Sequence, residues 1–254
     1  MDWAALYLFL IILGRMSGFV LFNPLFGRNG IPQIVKSGFI LLLTVTTYSM
    51  APIAPPIPGT VLELGLHFLL EMALGYILGL VMNLFFYAPL LGGTIIDSQM
   101  GMSMGATYDP GSGANVSVTA TLFNVLTMML FFVANGHHTL LRIILTSGDI
   151  IPFGTAALGT DLYSAIIELF IECTILGVKL CMPILAAELI GQVGMGILMK
   201  VIPQINIFVI NIDIKVLLGL GLVLLLLAPF SEFLLRMESS MLQSIRQLLP
   251  LMTG

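Results

Sequence analysis

Apolar positions in this chain do not alternate with polar ones; they fall in long unbroken runs punctuated by glycine, proline and asparagine. Six such runs occupy 3–22, 34–50, 61–87, 118–141, 162–185 and 207–230. About 20 apolar residues in helical form cross a ~30 Å hydrocarbon core. Only helices and closed barrels satisfy their own backbone there, and a barrel strand would show a period of two. The pattern therefore predicts an all-α, multi-helix integral membrane protein. The breaks carry turn chemistry, with Asn23-Pro24, Gly27 and Gly30-Ile31-Pro32 after the first run and Ala51-Pro52 through Pro58-Gly59 after the second. The tail, 231–252, follows another rule. Leu234, Met237, Met241, Ile245 and Leu248 recur at steps of three and four among Glu232, Arg236, Glu238 and Arg246. That spacing predicts an amphipathic helix lying on a membrane surface or against a partner.

Composition sharpens the picture. Only 9% of the 254 residues are charged and 58% are hydrophobic, against roughly 25% charged in soluble proteins. Mean hydropathy is +1.09. So little charge cannot coat a soluble surface. A net charge of −4 also excludes a nucleic-acid interface, which needs a basic face. Two cysteines, Cys173 and Cys181, lie in one apolar run and read as small buried hydrophobes rather than a disulfide framework. Asp2 precedes the first run and no basic residue does, so that run reads as a retained helix rather than a secretory signal. Loop cations do not orient the six runs. Arg28, Lys36 and Lys200 would share one side, Arg142, Arg236 and Arg246 the other, while Arg15, Lys179 and Lys215 lie inside runs. The tie has two readings, mere scarcity of charge or an arrangement unlike an ordinary bilayer serpentine.

The catalytic inventory is thin: no HExxH, GxSxG, GxxxxGK[ST] or CxxC occurs, so neither an enzyme nor a cofactor is expected. Ionisable residues inside apolar runs are the stronger signal, because burying charge in lipid is expensive. Glu63, His67 and Glu71 stand at i, i+4 and i+8 on one helical face. Three readings stay open for them: a polar seam pairing with cations on neighbouring helices, a proton route, and a metal site. Glu168, Glu172 and Lys179 form a second stripe, and Arg15 needs a carboxylate on another helix or another chain. Together with Lys215, these groups suit helices buried by partners better than a free monomer. Two segments, 92–117 and 188–206, read as long loops rich in glycine and methionine, each containing Gln-x-Gly-Met. Apolar loops of that length are packed inside something rather than disordered. In the first, Met100, Met102 and Met104 alternate with Gly101, Ser103 and Gly105, ahead of a turn at Asp109-Pro110-Gly111. Flexible methionine on a bendable backbone makes a seal that deforms; an ordinary Met-lined packing loop is the alternative.

Three blocks resemble one family. Asn23-Pro24-Leu25-Phe26-Gly27 with Ile31-Pro32 and Lys36, then Gln99 to Met104 with Asp109-Pro110-Gly111, then Pro203 to Val209 with Lys215 and Gly219, are similar in order to the signatures of the FliR-type export-gate family and its injectisome counterparts. Asn211-Ile212-Asp213 departs from that pattern, which leads one to expect a proline near 213. The resemblance implies a structural, pore-forming and gating subunit of the flagellar type III protein export gate, in the bacterial inner membrane at the flagellar basal body. Its partners would be FliP and FliQ homologues in one complex, an FlhB homologue, membrane lipid and unfolded export substrates in transit, with no nucleic acid. It further implies a FliP-like part over 1–160 that includes the plug loop (about 92–117), a FliQ-like hairpin over 161–230 and an amphipathic tail over 231–254. The plug itself would be roughly 101–113. Gln192, Gly194, Met195 and Lys200 would lie in a loop near the cytoplasmic entrance. The alternatives are an injectisome export homologue and, from the ionisable stripe, a proton-coupled secondary transporter.

Overall fold

The computed structural model describes residues 3–28, 30–50, 58–102, 108–109, 114–115, 117–201 and 207–252, with 108–109, 114–115, 199 and 207–212 as backbone only. Helices α1 (Trp3–Leu21), α2 (Gln33–Met50) and α3 (Val61–Met100) come first. A two-residue antiparallel ladder follows, β1 (Tyr108–Asp109) against β2 (Ala114–Asn115). Then come α4 (Val118–Val133), α5 (Gly136–Leu145), α6 (Ser147–Ile150), α7 (Thr160–Val201), α8 (Ile207–Leu225) and α9 (Leu227–Leu248), closed by a 3-10 turn, Leu249–Met252. This is an all-α, multi-helix membrane protein.

By length and composition, three helices among the described residues can cross a membrane, or up to five if each of two bent pairs counts as one span. The six apolar runs thus meet three to five candidate spans among the described residues. The helix of the second run, α2, carries Gln33 and Lys36 besides Ser37, Thr44, Thr46, Thr47 and Ser49, and is less apolar than α1, α3, α7 or α8. The fourth breaks into α4 and α5 with a 69° bend. Asn135 supplies the corner at φ 59°, ψ 24°, in the left-handed region that asparagine visits more readily than most side chains. The sixth bends by 61° between α8 and α9.

The first expected loop begins as helix, and the second is helix over its described residues. Residues 92–100 complete α3, and 188–201 complete α7. Glycine misled the sequence reading, because at 92 and 93 it serves close packing. A Cβ on Gly92 would lie 2.9 Å from the carbonyl oxygen of Gly177, and one on Gly93 would collide with the backbone of Ala120. Gln192, Gly194, Met195 and Lys200 therefore sit on a helix and not in a loop; Met195 is buried and Lys200 exposed.

The chain forms two compact units. The first comprises Met1–Phe85, Asn135–Phe170 and Glu238–Gly254. Its core includes Ile11, Ile12, Met16, Phe19, Leu74 and Leu78, all 1% exposed or less. There α1 crosses α3 with backbones nearly touching, since a Cβ on Gly18 would strike the carbonyl of Met72 and one on Gly75 that of Arg15. Small residues at a crossing are what allow helices to associate where lipid removes the hydrophobic drive. The second unit comprises Phe86–Ala134 and Ile171–Met237. Its core joins Ile96, Met100, Phe123, Leu180, Cys181, Ile184, Val223 and Phe230. Both cysteines are buried and unbridged.

Candidate functional site

In the first unit the close α1–α3 crossing brings Arg15 and Glu71 together. Arg15 Nε donates to Glu71 Oε2 at 2.6 Å, and both side chains are fully buried. Two further guanidinium nitrogens donate to Ser147 Oγ at 3.0 Å and to the Ile151 carbonyl at 3.1 Å. The guanidinium also lies 4.3 Å from the ring centroid of Phe153. The second oxygen of Glu71 accepts the backbone N–H of Gly154 at 2.8 Å. Every element of this cluster is answered, which is what makes a buried charge pair tolerable.

The other members of that stripe part company with Glu71. Tyr7 Oη and His67 Nδ1 share a hydrogen bond at 2.6 Å. Glu63 caps its own helix: Oε2 accepts from Gly59 N–H at 2.9 Å, while Thr60 Oγ1 accepts from Glu63 N–H at 3.2 Å. This is close to a capping box. Glu63, His67 and Glu71 thus serve a cap, a tyrosine and an arginine. No group of three or more His, Cys, Asp or Glu that could hold a metal occurs among the described residues.

The Asn23–Gly27 block is a built turn in the same unit. Asn23 Oδ1 accepts from Leu25 N–H at 2.8 Å, and the Asn23 carbonyl accepts from Gly27 N–H at 2.8 Å. Lys36, buried, reaches back to the Gly27 carbonyl at 2.9 Å. Asn83 of α3 donates to the Phe22 carbonyl at 2.5 Å. A Cβ at Gly27 would sit 2.5 Å from the Leu21 carbonyl, so only glycine closes this turn.

The second unit holds the methionine segment. Met100 is fully buried at the end of α3 and folds over Gly219 of α8, where any Cβ would collide with its side chain. Gly101 leaves the helix at φ +78°, and Met102 packs partly buried on the same core. Asp109 belongs to the backbone ladder; Met104, Pro110 and Gly111 lie outside the described residues. Where the chain re-enters α4, a residue the sequence reading passed over fixes it. Asp97, 4% exposed, accepts from Ser117 Oγ at 2.6 Å and Thr119 N–H at 3.0 Å with one oxygen. Ser117 in turn caps α4 by accepting from Ala120 N–H at 3.2 Å. Asp97 thereby ties the start of α4 to the end of α3. The available signal was the lone carboxylate of an apolar stretch set against a Ser-x-Thr helix start.

Along α7, Glu168, Glu172 and Lys179 are exposed and make no ion pair among the described residues, and Lys215 of α8 is half-buried. Large apolar side chains stand exposed with them, including Ile171 at 52% and Ile175 at 47%. Glu188, also passed over, is 1% exposed, and neither of its oxygens meets a donor among the described residues.

The model of a family described as bacterial export proteins, family 1, matches residues 6–241. Among curated proteins, the chain is 28% identical to a flagellar biosynthetic protein FliR of Escherichia coli (strain K12), over 99% of this chain and 96% of that one. It is 26% identical to the protein of the same name from Bacillus subtilis (strain 168), over 96% and 95% of the two chains. To that of Pectobacterium carotovorum subsp. carotovorum it is 30% identical, over 87% of this chain and 85% of the relative.

Proposed function

The chain belongs to the bacterial export proteins, family 1, and from that membership we propose that it is a pore-forming and gating subunit of the flagellar type III export gate. At the coarser level it is a structural component of a flagellar export apparatus in a membrane, and not an enzyme. The finer reading places it in the bacterial inner membrane at the flagellar basal body. There it assembles with FliP and FliQ homologues, is joined by an FlhB homologue, and lets unfolded substrates pass. Residues 1–160 act as the FliP-like part, 161–230 as the FliQ-like hairpin and 231–254 as the amphipathic tail.

The segment after Met100 is the seal. The observation that carries this reading is the anchoring of that segment at both ends. Met100 is locked over Gly219 before it, and Asp97 holds Ser117 and Thr119 after it. A segment held at its neck can press into an opening and return after a substrate has passed. Met102 and Met104 supply deformable apolar contact, and Gly101, Asp109, Pro110 and Gly111 set the backbone course. Gln192, Gly194, Met195 and Lys200, on the last turns of α7, face the cytoplasmic entrance.

The test is deletion of 101–113 in the assembled complex. Ion conductance through the closed channel is expected to rise while the complex still assembles. Unchanged conductance in an intact complex overturns the seal.

A further inference from the structure

We propose that the cleft at the C-terminal ends of α5 and α9 binds the headgroup of an anionic phospholipid. Arg142, Ile143, Thr146, Ile150, Arg246 and Leu249 line a space of about 320 Å³, and all six lie in the first compact unit. Both arginines are exposed, and neither guanidinium has a hydrogen bond or ion pair among the described residues. No carboxylate lines the cleft. Its wall is apolar, with Ile143 6% and Leu249 1% exposed and Ile150 at the rim, 44% exposed.

Three features select a lipid. First, a chain with nine Lys plus Arg in all brings two of them to one apolar cleft. A planar guanidinium fork matches phosphate oxygens in a way a point charge does not. Second, Arg142 stands in the last turn of α5 and Arg246 in the last turn of α9. The first of these helices closes a bent pair apolar enough to cross a membrane. The second is amphipathic, of the kind that lies in a membrane surface. The end of a span and the plane of such a helix are both at the depth of lipid phosphates. Third, the isoleucines and leucine add nothing for a free inorganic anion but accept glycerol and the start of an acyl chain.

The experiment is native mass spectrometry of the full chain in detergent, offered phosphatidylglycerol and phosphatidylcholine with the same acyl chains. Phosphatidylglycerol is expected to be retained about tenfold more strongly, and Arg142→Gln or Arg246→Gln to cut that preference about fivefold each, the usual weight of one cation at an anionic surface. Arg142→Lys and Arg246→Lys, which keep the charge but lose the planar fork, should fall between the glutamine variants and the unmodified chain. They decide the matter should a glutamine variant fold poorly, because a preference unchanged in both overturns the role of the fork. Arg236→Gln, which removes an exposed cation from the same helix, should leave it unchanged. Equal retention of the two lipids, or a preference that survives the double glutamine variant, overturns the proposal. So does displacement of the lipid by millimolar inorganic phosphate, which would make this a free-anion site. An assembled complex without phosphatidylglycerol, in which an acidic segment of a neighbouring subunit crosslinks to these arginines, also overturns it.

Discussion

Arg15 is the residue whose environment the sequence dictated most sharply and described least. A lone cation in an apolar run requires a carboxylate, and Glu71 was in view on another helix. The rest of its shell was not. Ser147, the Ile151 carbonyl and the Phe153 ring come from a segment more than a hundred residues away, and the Gly154 N–H of the same segment answers Glu71. Two of them are backbone groups, which leave no trace in residue type. Removing one partner of a buried pair leaves the other charge unanswered and costs about 3–5 kcal/mol, whereas replacing both with apolar groups of similar size is often close to neutral. Glu71→Gln is therefore expected to lower the thermal midpoint in detergent markedly. Arg15→Met with Glu71→Leu should lose less than Glu71→Gln alone. A double variant that simply summed the two single losses would show that the pair is not coupled.

At the scale of elements, helix identity was legible and helix ends were not. The runs beginning at Trp3, Ile34 and Leu162 announced the starts of α1, α2 and α7 within two residues. Glycine and methionine at 92–100 and 188–201 were taken as loop signals, yet most of those positions are helical. A glycine that permits close approach is indistinguishable in sequence from one that permits a turn; Gly93 against Ala120 is the first kind and Gly101 at φ +78° the second. The run starting at Val118 matched the start of α4, but neither its capping Ser117 nor the carboxylate behind it was read. Asp97→Ala should remove the acceptor for Ser117 and Thr119. A lost cap costs on the order of 0.5–2 kcal/mol. Hydrogen exchange at the Thr119 and Ala120 amides should accordingly quicken about threefold to thirtyfold, while amides in the middle of α1 keep their rate. Equal acceleration in both places would mean global destabilisation rather than a released neck.

For the whole molecule, the sequence made the membrane class plain through charge scarcity. The bends at Asn135 and after Leu225 escaped it, since they depend on packing. What covers the outward faces is a question of assembly. Isolated charges beside exposed Ile171 and Ile175 are costly against lipid, where an ionised side chain needs a partner. They are favourable against a neighbouring helix that offers the opposite charge. Glu172 is the sharpest probe, being exposed on α7 without an ion pair among the described residues. If it docks a partner subunit, Glu172→Ala should lower recovery of the complex on a tagged copy of this chain, and Glu172→Lys should lower it further. The control is Glu232→Ala. Glu232 and Arg236 are 74% and 84% exposed at 3.9 Å, and a pair of that kind contributes about 0.3–0.5 kcal/mol. Its loss should leave recovery within error. Detergent-extracted Glu172→Lys chain that still assembles at the level of the unmodified protein would place that face against lipid or solvent instead, and the charged stripe of α7 would have no part in holding the gate together.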